Sequence, residues 1–107
     1  MKMVLLSLLV AAPLTAVPAA ASDNATAQKA AVSTLENYTR VAPSDGGAYV
    51  ELAQAYLRDN RPAEAAAAYR RVLQLDNVMM LTPNGDSIWS HEVARNALAR
   101  IPQLTAR

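Results

Sequence analysis

The sequence predicts an all-α protein, an antiparallel helix-turn-helix stack of about four helices that follows a cleaved signal peptide. Three observations predict it. Apolar residues recur at three- and four-residue spacing in successive segments, which puts them on one face of a helix in each. Short polar breaks separate those segments: Pro43 to Gly47, Asp59 to Pro62, and Thr82 to Asp86. Alanine, the strongest helix former, is frequent through residues 22–41, where strand formers are only scattered.

The N-terminus is expected to be removed. Lys2 supplies a short positive region, Met3 to Ala12 is almost wholly apolar, and Pro13 and Pro18 interrupt the residues after it. Ala19, Ala20 and Ala21 offer the small residues that a signal peptidase reads, so residues 1–21 have the layout of a secretory signal cleaved after Ala21. The apolar run falls short of the roughly 20 residues that cross a bilayer; a retained anchor is the alternative. The expected product is periplasmic or secreted, soluble, and free of the membrane. The 52% hydrophobic content of the whole chain is inflated by the signal. Ten Lys and Arg stand against nine Asp and Glu, and Lys2 leaves with the signal, so the remaining charge is balanced. A balanced chain without a basic cluster argues against nucleic acid as a partner, since replacing phosphate counterions needs a positive surface. There is no cysteine, hence no disulfide staple and no lipoprotein anchor through an N-terminal cysteine.

Residues 22–102 form one small domain, and residues 103–107 are expected to fray. In its first helix Ala27, Ala31, Leu35 and Tyr38 share a face, Ser22 or Asp23 caps the start, and Pro43 stops the helix near Ala42. Ser44 or Asp45 caps a second helix whose stripe is Tyr49, Leu52, Ala53 and Tyr56. Asn60, which tolerates a left-handed backbone, suits its end, and Pro62 suits the first position of the third helix. Ala65, Tyr69, Val72 and Leu73 line the face of that helix, and the short link makes the pair antiparallel neighbours. Val78 to Leu81 is apolar without a period, and residues 82–86 read as a turn. A last helix is expected over residues 87–101, capped by Asp86 or Ser87, with Pro102 past its end and Trp89, Val93, Ala97 and Ile101 as its buried stripe.

The chain matches itself when shifted by about 34 residues, the length of a tetratricopeptide repeat. Ala31 falls on Ala65, Leu35 on Tyr69, Tyr38 on Val72, and Pro43 on Asn77. Residues 46–79, with Tyr49, Leu52-Ala53, Tyr56, Asn60, Ala65, Tyr69 and Asp76 at their separations, resemble one complete tetratricopeptide repeat. Residues 23–43 resemble the second helix of a preceding repeat. Asn77 stands where the family has a closing proline and Val72 where it prefers alanine. The insertion at residues 82–86 takes the last helix out of the strict period, which leaves it as either the first helix of a third unit or a capping helix. One helix pair cannot bury its own apolar face, and about three repeats are normally needed; the flanking helices supply the cover.

Catalytic chemistry finds little support. Asp86, Ser87, Ser90, His91 and Glu92 lie close together, but neighbours on a helix point in different directions and a triad draws on separated segments. In the run His91-Glu92-Val93-Ala94-Arg95, Arg95 occupies the place of the second histidine of a zinc-peptidase motif. The expectation is a protein that is not an enzyme and has no cofactor and no metal. Val78 to Leu81 and Trp89 are expected to pack in the core, with a partner-binding surface as the alternative for each. Arg70 and Arg71 flank the third helix's buried face, with Arg71 in water.

The resemblance implies a concave groove lined by the first helices of successive repeats, which in that family receives a peptide or a partner helix. By position the lining residues are Val50, Gln54, Leu57 and Arg58. The family's best-known peptide clamp uses lysine and asparagine where this chain has Val50 and Gln54. The resemblance therefore implies a small exported module that binds another protein or peptide. The alternative is a self-associating structural component of an envelope assembly, joined through the Met79-Met80 region or the first helix.

Overall fold

The computed structural model describes residues 24–105. The signal-peptide reading of residues 1–21 and the cap at Ser22 or Asp23 lie outside the described residues. Among the described residues the fold is an all-α stack of four helices carrying one small hairpin. Helix α1 covers residues 24–41 of the described chain. It is followed by α2 (Gly46–Arg58), α3 (Pro62–Gln74), β1 (Met79–Leu81), β2 (Ser87–Trp89) and α4 (Ser90–Thr105).

The register of α1 differs from the expected one. Val32 and Thr39 are buried, with Leu35 and Glu36 half-buried beside them, whereas Ala27 and Tyr38 are exposed. Polar bonds account for the rotation. The Tyr56 hydroxyl donates to Glu36 Oε2 at 2.5 Å and draws that carboxylate inward. The buried Thr39 hydroxyl donates to the Glu36 carbonyl at 2.9 Å, and the Tyr38 hydroxyl reaches outward to Asp45 Oδ2 at 3.1 Å.

Asp45 is the cap of α2: its Oδ1 accepts from the Ala48 amide at 3.1 Å. Ala48, Val50, Leu52, Ala53, Ala55 and Tyr56 are all buried, more of the circumference than an amphipathic stripe, because α2 is the central helix. It ends as the sequence expects. Asn60 has φ 61°, the Arg61 amide donates to the Tyr56 carbonyl at 2.8 Å, and the Asn60 amide donates to the Leu57 carbonyl at 3.1 Å. That is the paired closure of a Schellman motif. Pro62 then opens α3 without wasting an amide proton.

Helices α2 and α3 pack along their lengths, and α3 packs in turn on α4. Ala53 and Ala65 are both fully buried at the first of these contacts, and Val72 and Tyr69 complete the α3 face. Ala67 is exposed.

The connection from α3 to α4 corrects two expectations. Residues 79–81 and 87–89 pair as an antiparallel hairpin, with Met79 opposite Trp89, Met80 opposite Ile88 and Leu81 opposite Ser87. The turn is the three-residue kind, with Gly85 at φ 90°, the Gly85 amide donating to the Thr82 carbonyl at 2.9 Å, and the Thr82 amide donating to the Asp86 carbonyl at 2.8 Å. Residues 87–89 are therefore strand, and α4 starts at Ser90 instead of Ser87. The Asn77 side chain serves that start, its Oδ1 accepting from the His91 amide at 3.0 Å. The buried face of α4 is Ser90, Ala94, Ala97 and Ile101, with Val93 and Leu98 half-buried. Trp89 stands outside it at 46% exposure, so it is not the expected core wedge. Pro102 lies inside the helix, which runs on to Thr105 and does not stop at Ile101; its fixed φ is a helical one, and only one backbone bond is lost.

Candidate functional site: a groove along α2

Residues four apart on α2 share one face, and Val50, Gln54 and Arg58 form the floor of a groove of about 490 Å³. Glu51 joins them at its edge. Leu35 of α1 makes one wall. The hairpin makes the other through Met80, Leu81 and Ile88, with Val93 of α4 below. Three of the four residues named from the sequence thus come together. Leu57 does not: it turns to a separate cavity of about 270 Å³ beside Tyr69, Ala97 and Ile101. At ~100° per residue Leu57 lies about 20° round the helix from Val50, on the side away from Glu51 and about 100° from Arg58, so it marks the edge of that face and meets α4 instead.

The floor is apolar at Val50, polar at Gln54 in its middle and charged at Arg58, with Glu51 beside the Val50 end. Val50 is only 1% exposed and supplies surface without reach, whereas Gln54 and Arg58 are exposed. Glu51 and Arg58 lie two helical turns apart, ~10.5 Å along the axis. The ion pairs found among the described residues both belong to Arg61, which binds Glu64 and Asp59 at the α2–α3 turn. Glu51 and Arg58 thus form no ion pair among the described residues. Glu51 and the hairpin wall were not foreseen from the sequence. For Glu51 the signal was its place three and seven residues before Gln54 and Arg58, on the same side of α2; for the wall it was a glycine-containing three-residue link between two short apolar runs.

The methionine run divides between two environments. Met80 packs against the core and Ile88 is half-buried opposite it, but Met79 is 51% and Leu81 76% exposed. Alternation along a strand is the reason, since successive side chains leave opposite faces of the hairpin. Core packing of the whole run, as expected, is thus corrected. The expectation for Arg71 is corrected as well. Its guanidinium lies 5.8 Å from the centre of the Tyr49 ring and donates to Gln74 Oε1 at 3.0 Å. Arg70 is exposed.

The polar cluster at the start of α4 is committed to holding the hairpin. The fully buried Ser90 hydroxyl accepts from the Val78 amide at 2.9 Å and donates to Asn77 Oδ1 at 3.4 Å. His91 Nε2 lies 2.6 Å from the Leu75 carbonyl, so that nitrogen carries the proton and donates. Asp86, Ser87 and Glu92 are exposed. Among the described residues no group of three His, Cys, Asp or Glu side chains is arranged to hold a metal ion, and no helix is long and apolar enough to cross a membrane.

Comparison with known proteins finds no matching family model, no matching curated protein and no matching solved structure.

Proposed function

We propose that this is a small exported tetratricopeptide-like module, non-catalytic, whose work is to bind a protein or peptide partner in the groove along α2. The observation that carries this reading is the convergence of Val50, Gln54 and Arg58, chosen by repeat position, on one face of a real concavity. Apolar walls over a floor that carries Gln54 and Arg58 suit recognition of a chain segment, where the apolar part holds and the polar part orients. The engagement of Ser90 and His91 in hairpin bonds supports a binding role over a catalytic one. The apolar signal layout of residues 1–21 supports export.

Affinity capture from the native exported fraction tests the reading. Gln54→Trp blocks the floor and Arg58→Glu reverses its charge; both are expected to lose the partner that the wild type retains. Arg70→Glu, on an exposed position of α3, is expected to keep it. Equal capture by all four proteins contradicts the groove.

A second reading, self-association into an envelope assembly, is favoured by one observation, the apolar outer face of the hairpin at Met79, Leu81 and Trp89. Light scattering across a concentration series separates the two, since a monomer at all concentrations leaves only the first.

A further inference from the structure

The hairpin has a free edge, and that edge borders the groove. Antiparallel strands alternate between residues that exchange backbone bonds with the partner strand and residues whose N–H and C=O point away from it. The Ser90 amide donates to the Val78 carbonyl at 2.7 Å and the Thr82 amide to the Asp86 carbonyl at 2.8 Å. Counting inward from both, Met80 and Ile88 are the bonded pair, and the backbone groups of Met79 and Leu81 face outward from β1. Among the described residues nothing meets those groups: neither residue has a further backbone partner. Met80 and Leu81 point to opposite faces of the strand, yet both line the groove. Ile88 of β2 lines it from the inner face as well, whereas Ser87 and Trp89 do not, so the groove reaches the outer edge of the hairpin on the β1 side, at Leu81 beside Thr82 and Pro83 of the turn.

Resting on the groove reading above, we propose that the bound segment is extended chain that adds to β1 as a third strand. Its backbone pairs with Met79 and Leu81 while its inward side chains lie over Val50 and Gln54. Backbone pairing supplies affinity in this mode and alternate side-chain positions supply selection. The charges state the selection. Glu51 and Arg58 are ~10.5 Å apart along α2, and extended chain advances ~3.3 Å per residue, so inward positions four apart span ~13 Å. A segment with a basic residue, an apolar residue and an acidic residue at alternate positions therefore puts its base near Glu51 and its acid near Arg58. The β1 edge is neutral, with no charged residue from Asn77 to Gly85, and offers no repulsion to either.

The test uses a synthetic peptide, Ser-Lys-Thr-Val-Thr-Glu-Ser, blocked at both ends, and the full mature chain. Titration with amide hydrogen exchange is expected to show binding that protects the Met79 and Leu81 amides. N-methylating one alternate set of peptide residues is expected to weaken binding on the order of tenfold, by removing two backbone bonds, while the other set leaves it unchanged. Leu81→Pro removes an outward N–H and leaves the Met80–Ile88 pair alone; it is expected to lose the peptide while the Ile88 amide stays protected. Binding with Met79 and Leu81 unprotected and both methylated peptides equal would overturn strand addition while the groove reading stands. So would failure of the peptide to bind at millimolar concentration while capture of the native partner still depends on Gln54 and Arg58. Protection of the two amides that grows with protein concentration in the absence of peptide would show a second copy on the edge, and would also overturn the proposal. Loss of dependence on Gln54 and Arg58 removes the groove itself.

Discussion

Tyr56 joins three parts of the molecule. Its ring is buried in α2, its hydroxyl bonds Glu36 of α1, and Arg61 from the turn lies 4.8 Å from the ring centre. Burial first, and then the bond to Glu36, push its hydroxyl up from 10.0 to about 12. A folded-state value raised above the unfolded one gives stability that is complete below the unfolded value and is lost as pH rises through the folded one. The denaturation midpoint is therefore expected to fall between pH 10 and about 12. Burial raises Tyr69 as well and adds a fall of the same sign, so the check is the difference between wild type and Tyr56→Phe. The variant should cost about 1 kcal/mol at neutral pH and flatten its share of the alkaline loss; an unchanged alkaline slope would contradict the assignment. Small residues carry a second prediction at this scale. Ala65 is fully buried between α2 and α3 and Ala67 is exposed. Ala65→Leu should lose ~1–3 kcal/mol to overpacking while Ala67→Leu stays near wild type, read by chemical denaturation. Equal midpoints would break the packing register.

Elements differ in how much of them the sequence announces. Asp45, Asn60 and Pro62 each act on their own backbone, so the start of α2, its left-handed end and the start of α3 could be read directly. The face of α1 could not, because alanine-rich turns carry a weak apolar pattern and the bonds of Glu36 and Tyr38 to other elements decide the rotation. In the groove, repeat position named Val50, Gln54, Leu57 and Arg58 together; Leu57 lies in the separate cavity, and the hairpin wall had no counterpart in the repeat pattern. Strands of three residues are too short to display alternation, and Trp89, Val93 and Ala97 imitate a helical ladder across the real boundary at Ser90. The structure revises what Trp89 does. At 46% exposure, Trp89→Ala should cost only ~1 kcal/mol, about half the value of a buried side chain, and its fluorescence should be red-shifted and open to quencher. A shielded, blue-shifted Trp89 with a large loss of stability would restore it to the core. Gly85 holds the hairpin turn at φ 90° with no atom within 4 Å of an added Cβ, so Gly85→Ala tests backbone strain alone. It should cost ~1–2 kcal/mol, seen as lost protection of the Ile88 amide with the helices intact.

As a whole, the molecule is a short stack in which each helix pair needs a neighbour. Helix α4 covers α3 through Ala94, Ala97 and Ile101, and the hairpin that delivers it also walls the groove. Stability and the proposed site are thus coupled through one connection. Truncation after Thr82 removes β2 and α4, exposes Tyr69 and Val72, and should abolish cooperative unfolding, because the remaining chain is too small to enclose a core. A sharp, wild-type-like transition in the truncated protein would show that α1 to α3 stand alone. The proposed function meets its most direct test at Gln54, which is exposed on the groove floor. A photo-crosslinking residue placed there, in the protein expressed in its native host, should join one discrete partner that the same probe at Arg70 does not reach. Crosslinks of equal pattern from both positions, or from Arg70 alone, would contradict a groove along α2 as the binding site.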